Sequence, residues 1–98
     1  MISETTIRKA IMELLFGTMA VHSPAEIAAQ DWFEKCHVSP EMIERQLKIL
    51  EQYEFVSGEA GRAVGYGDQY QITKDGVAQF TVGGGAKRHA IIWGRDAI

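Results

Sequence analysis

The chain has 98 residues, of which 46% are hydrophobic and 23% charged, and its formal net charge is −3. That length supports one domain with a single modest core, and no apolar run reaches the roughly 18 residues a membrane span requires. The opening MISETTIRKA lacks a basic segment followed by an apolar one, so no secretory signal is read there. The lone Cys36 cannot close an internal disulfide, which favours a reducing, cytoplasmic setting.

Ile7, Ile11, Leu14 and Leu15 recur at helical spacing and predict a first helix with one apolar face. Glu4 falls in its first turn, and Gly17 is placed to close it in a left-handed cap. Ala20-Val21-His22 reads as a minor strand. Ser23-Pro24-Ala25-Glu26 is a capping box with proline at the first helical position. A second helix follows it, carrying Ile27, Ala28, Trp32 and Phe33 inward.

Ser39-Pro40 opens a third helix, whose buried stripe is Ile43, Leu47 and Leu50, extended by Tyr53. Its other face displays Glu41, Glu44, Arg45, Lys48 and Glu51, with Glu41–Arg45 and Glu44–Lys48 spaced as favourable pairs. Phe55-Val56 begins a strand. Tyr70 and Ile72 alternate with Gln69, Gln71 and Thr73, which is the period of a half-buried strand returning across a glycine-rich loop. Thr73 then caps a fourth helix with Asp75 in its first turn; Val77 and Phe80 point inward, and Gly83-Gly84-Gly85 cut it short. Residues 86–98, AKRHAIIWGRDAI, mix basic residues with Ile91, Ile92 and Trp93, and a strand is the favoured conformation there.

Charge is unevenly placed. Residues 1–60 hold five Lys/Arg against ten Asp/Glu, whereas residues 61–98 hold five against three. The basic footprint usual for a DNA-binding domain, if one is present, can only lie in the C-terminal third.

The element order, together with LKILEQYEFVSGEAGRAVGYGDQYQITKDGVAQF, resembles the winged-helix fold of bacterial transcription regulators of the MarR and PadR type. Leu47-x-x-Leu50-Glu51-x-x-x-Phe55-Val56 looks like their recognition-helix exit, and Tyr70-x-Ile72-Thr73-x-x-Gly76 like their second wing strand entering a helix. Ser23-Pro24-Ala25-Glu26-Ile27-Ala28 resembles the start of their second helix, and the likeness covers about residues 5–82. It implies a mainly α chain with a small antiparallel sheet, in α-β-α-α-β-β-α order: a winged-helix domain over residues 1–82, then a Gly-rich linker and basic, apolar tail over 83–98. The stretch from Ile27-Ala28 to Val38-Ser39 exceeds a tight helix-turn-helix and implies an extended second helix or a longer turn. The long terminal helices through which those regulators commonly dimerise are lacking, so a homodimer would use the first helix or the tail.

Carried over by position, Ser39, Glu41, Met42, Arg45 and Lys48 would face duplex DNA from the third helix. Arg62 on the wing would enter the minor groove, with Tyr66 stacking on a sugar or shielding the hairpin. Lys87 and Arg88 could form a basic arm on DNA, and the tail could equally add a strand to a sheet edge, but packing of the tail on its own core is the favoured reading. Against this stand Glu41, Glu44 and Glu51, which repel phosphates whose neutralisation carries most DNA affinity. The leading expectation is a small bacterial or phage-like DNA-binding transcription regulator. The alternative is a winged-helix module for a protein partner with little DNA affinity.

Other chemistry finds no pattern. Cys36-His37 are adjacent and lack the spaced partners of a zinc site, and His22 and His89 are isolated. Gly83-Gly84-Gly85-Ala86-Lys87 has neither the spacing nor the hydroxyl residue of a phosphate loop, and Gly61, Gly65 and Gly67 do not fit the dinucleotide pattern. No enzyme, no cofactor, no metal and no membrane partner are expected.

Overall fold

The computed structural model describes residues 2–59, 68–81 and 87–95. Helix α1 spans Glu4–Thr18 and starts where the Ser3 hydroxyl accepts the Thr6 N–H. Ile7, Ile11, Met12 and Leu15 are buried, and Leu14 lies at the rim. The helix does not stop at Gly17. Met19 takes the left-handed conformation instead, at φ 51°, and its N–H still reaches the Leu15 carbonyl at 2.9 Å. The Thr18 hydroxyl donates to Leu14 O and meets His22 Nε2 at 2.8 Å, so the last turn is held closed from both sides.

His22 forms a single antiparallel bridge to Tyr70, a one-residue version of the expected minor strand. The capping box then opens α2, Pro24–Ala28, with Ser23 and Glu26 exchanging both hydrogen bonds. The expected long second helix is broken: Gln30 is extended, and a separate α3 runs Asp31–Lys35. Geometry explains the break. On one continuous helix Ile27 and Phe33 would point about 120° apart, and the change of axis at Gln30 lets both reach the core. Phe33 is then 3% exposed, while Trp32 turns outward at 39%, contrary to its expected inward place.

Helix α4, Pro40–Gln52, is capped by Ser39 and buries Ile43, Leu47 and Leu50 as expected. Tyr53 does not extend that stripe; it is the C-cap and is exposed. The reason is the way the helix ends. Glu54 adopts φ 63°, its N–H bonds Glu51 O, and the Phe55 N–H bonds Leu50 O, which is a Schellman motif with Phe55 turned onto the core. The end of α3 repeats this arrangement around His37, at φ 55°, where Val38 bonds Phe33 O and His37 bonds Glu34 O.

Strand β1, Val56–Glu59, pairs antiparallel with β2, Gln69–Ile72, in a register that sets Val56 opposite Ile72 and Gly58 opposite Tyr70. Tyr70 and Ile72 face inward as their alternation predicts. Thr73 caps α5, Lys74–Ala78, and its hydroxyl also donates to Glu54 O at 2.6 Å, tying the exit of α4 to the start of α5. Gly76 is buried there, and the position is bare because a Cβ would strike the Phe55 carbonyl. The mostly helical chain with its small antiparallel sheet is a winged helix.

The tail is not a strand. Residues Ala90–Trp93 form a short helix, α6, capped by the His89 ring, whose Nδ1 accepts the Ile91 N–H. Ile92 is fully buried in the main core, and the Gln79 amide holds the approach by donating to Lys87 O and accepting from His89 N. Phe16 stacks on Phe80 at 5.1 Å and Phe80 meets the Trp93 ring at a tilt at 4.9 Å, so the turn after α5 joins α1 and α6 in an aromatic seam. Four residues with one fully buried apolar side chain favour a helical turn over a strand with no partner to pair with. The expected end of α5 at Gly83-Gly84-Gly85 lies outside the described residues; within them, the helix already closes at Gln79. No helix among the described residues is long and apolar enough to cross a membrane.

Besides Gln79, two polar side chains are buried where α1 meets α4. Arg8 donates to Ile91 O at 2.7 Å, to Gln46 Oε1 at 2.8 Å and to Thr5 Oγ1 at 3.1 Å; Gln46 Nε2 donates to Glu4 Oε1 at 2.9 Å. One guanidinium thus joins α1, α4 and α6. Replacing Gln46 by Leu leaves Arg8 and Glu4 without their shared partner and is expected to cost about 2–4 kcal/mol, read as a lower denaturant midpoint at unchanged slope. Glu54→Gly removes a left-handed side-chain penalty of roughly 1 kcal/mol and is expected to raise the melting temperature by about 4–8 °C. An unchanged or lower midpoint would show the turn to be unstrained.

Candidate nucleic-acid interface

The Ser39 cap and Pro40 at the first position orient α4 so that Glu41, Glu44, Arg45, Lys48 and Glu51 line its solvent face. Ser39 spends its hydroxyl on the Met42 N–H at 3.2 Å. Met42 is half-buried, its sulfur receiving the Gln46 amide at 3.4 Å, so it belongs as much to the α1–α4 seam as to the surface. The expected pairs along the helix, Glu41–Arg45 and Glu44–Lys48, do not form within 4 Å among the described residues. Arg45 instead lies 3.9 Å from Glu4 on α1. For Arg45 the nearer carboxylate is on another element and not on its own helix.

Lys48 leans over the base of the sheet toward Tyr70. Its ammonium is held above the ordinary lysine range, chiefly by charge interaction with the Tyr70 side chain, with desolvation acting the other way. Tyr70 is itself pushed up, chiefly by burial of its ring, with Lys48 acting in the opposite direction. Glu51 has a different task from the one its exposure suggests: Oε2 accepts the Gly58 N–H of β1 at 3.0 Å. A Cβ on Gly58 would stand 2.7 Å from that oxygen and 2.8 Å from the Tyr70 ring, so this strand position must be bare for helix and wing to approach. One of the five outward charges, Glu51, therefore braces α4 against the wing.

The wing stems end at Glu59 and Gln69, and Arg62 and Tyr66 lie outside the described residues. Lys87 and Arg88 are exposed, but Arg88 is not a free arm residue: its guanidinium stacks 4.1 Å from the Trp93 ring centre, with Lys9 of α1 at 5.3 Å from the same ring. His89 rests edge-on against Tyr53 and Phe55. Among the described residues no three His, Cys, Asp or Glu side chains converge to hold a metal ion; Cys36 is half-buried and unpaired.

Arg8 and Gln46 have no place in the sequence reading and Glu4 has one only as a first-turn acid, although a signal for the first two exists. Arg8 stands beside Ile7 and one turn before Met12 and Ile11, and Gln46 stands between Ile43 and Leu47 on the inward stripe. A polar residue at a core position of two successive apolar stripes points to a buried hydrogen-bonded pair. Glu4 has no such mark; it reads as an ordinary first-turn acid.

The Lys48–Tyr70 arrangement has a pH consequence. Lys48 with a raised folded-state value contributes stability that is present below the unfolded value and lost as pH rises through the folded one. Tyr70 acts in the same sense, because the unfolded chain releases the phenol proton first. Both effects lie above about pH 10. Stability is expected to fall there, and Tyr70→Phe to flatten the fall in an alkaline unfolding series; an identical slope in the variant would dissociate Tyr70 from it.

No family model matches this chain, and no curated protein matches it. Among solved structures, a mutant of Lactococcus lactis ZitR in apo form superimposes with a TM-score of 0.58 at 24% sequence identity, over 76% of this chain. The chain spans about half the length of that neighbour, 51%. At this identity the likeness is one of fold: both chains share the winged-helix arrangement.

Proposed function

We propose that this chain is a small DNA-binding regulator that contacts duplex DNA with α4 and the wing. The observation that carries this reading is the placement of α4, a 13-residue helix with one face in the core and the other free, set directly against a β-hairpin. A helix of that kind fits the major groove, and a hairpin beside it reaches the backbone or minor groove. Arg45 and Lys48 are the cations available to phosphates or guanine from α4. Ser39 and Glu41 stand at its leading end, with Met42 contributing an apolar edge. Arg62 and Tyr66 extend the contact from the wing, and Lys87 with Arg88 add charge from the tail. A fold shared with ZitR, at the level of architecture, is compatible with this use.

A second reading is favoured by a specific observation. The α4 face carries Glu41 and Glu44 without ion-pair partners among the described residues, and Trp32 and Tyr53 are exposed at 39% and 45%. An acidic helix face ending at an exposed tyrosine, with a second exposed aromatic elsewhere on the surface, suits a protein partner better than phosphates.

Fluorescence anisotropy of a labelled random-sequence duplex, titrated with the protein at low and then moderate salt, separates the two. The DNA reading expects binding that weakens steeply with salt. Lys48→Ala and Arg62→Ala are each expected to weaken it several-fold and to lower the salt slope by about one. Absence of binding at low salt would leave the protein-partner reading in possession of the same surface.

A further inference from the structure

One cation on the proposed DNA face has its partner on another helix. Arg45, in the second turn of α4, sits 3.9 Å from Glu4 Oε1 in the first turn of α1. Glu4 is not a loose surface carboxylate. The same oxygen accepts the Gln46 Nε2 hydrogen bond at 2.9 Å, and Gln46 is fully buried and held in turn by Arg8. The carboxylate is anchored from behind by a buried amide, while the guanidinium in front of it keeps 67% side-chain exposure. At 3.9 Å the two are held by charge alone, beyond hydrogen-bond range, so Arg45 is the partner free to move.

We infer that Glu4 is a positioning residue for DNA binding: it clasps Arg45 in the free protein and yields it when Arg45 meets a phosphate or base edge. This rests on the DNA reading of α4. Within that reading the physics runs in one direction. An exposed ion pair contributes little to stability, so exchange of the carboxylate for a DNA phosphate is easily reached, yet each bound duplex must first undo the clasp. The fixed charge of Glu4 also stands beside the path of the incoming phosphate. Glu41, one turn before Arg45 on the same helix, does not pair with it within 4 Å, so the competing carboxylate is the one on α1.

The test is a double-mutant cycle on the full chain, read by anisotropy with the labelled random-sequence duplex. Glu4→Gln keeps the oxygen that Gln46 needs and removes the charge; Glu4→Asp keeps the charge but withdraws it from Arg45. Thermal unfolding verifies that both fold, and Asp retains the first-turn acid if the Gln variant does not. The expected result is duplex binding about threefold to tenfold tighter for Glu4→Gln at low salt, a smaller gain for Glu4→Asp, and no gain from either in an Arg45→Ala background. An equal gain with and without Arg45 would reduce Glu4 to a general repulsive charge and overturn the clasp. No gain at all, with the parent protein binding duplex normally, would overturn it while leaving the DNA reading intact. Failure of parent and variants alike to bind duplex would remove both.

Discussion

Arg8 is the residue on which the arrangement of the helices depends. A guanidinium taken from water is costly unless every donor finds an acceptor, and here the acceptors come from three separate elements: Thr5 on α1, Gln46 on α4 and the Ile91 carbonyl of α6. Hydrophobic burial is tolerant of small rotations between helices, but a fork of hydrogen bonds is not. The apolar residues around it, Ile7, Ile11, Leu47 and Ile92, supply most of the driving force for packing. Arg8 and Gln46 select which packing is adopted, and so set how α4 faces solvent.

That selection bears on the outward face. Its charges are organised by the elements beside α4 and not by its own helical spacing. Glu4 draws Arg45 toward α1, Tyr70 draws Lys48 toward the sheet, and Gly58 engages Glu51. The helix and the wing are coupled through their polar side chains as well as through the core. A surface that counts as net acidic by residue type is therefore uneven in space, with some of its carboxylates already committed to the protein's own backbone and side chains.

Much of the fold was legible from local rules. The caps at Ser23, Ser39 and Thr73, the stripe of α4 and the alternation of Tyr70 and Ile72 each rest on a short-range pattern with one physical solution. What escaped was set by longer range or by atypical chemistry. Met19, His37 and Glu54 occupy left-handed positions where glycine is the usual signal, so the true helix ends carried no mark and Gly17 misled. Trp32 and Phe33 could not be told apart until the break at Gln30 decided which one turned inward. The tail became a helix because Gln79, His89 and Arg8 meet it from different parts of the chain, and none of those hydrogen bonds has a sequence period. For the candidate site, the exposed positions of α4 were read correctly as exposed, but their partners were not, since Glu4 lies 41 positions before Arg45 in the chain.

The bond from Gly58 to Glu51 has one more effect. Tyr70 uses both backbone groups on His22, so its neighbour Gly58 turns its own N–H away from β2 and toward the outer margin of β1. On a bare strand that outward donor would invite another chain to pair. Here a carboxylate occupies it, and the negative charge opposes any carbonyl that approaches. A residue that reads as a liability for meeting phosphates is thus a guard against self-association, keeping a two-stranded sheet from becoming a template for aggregation.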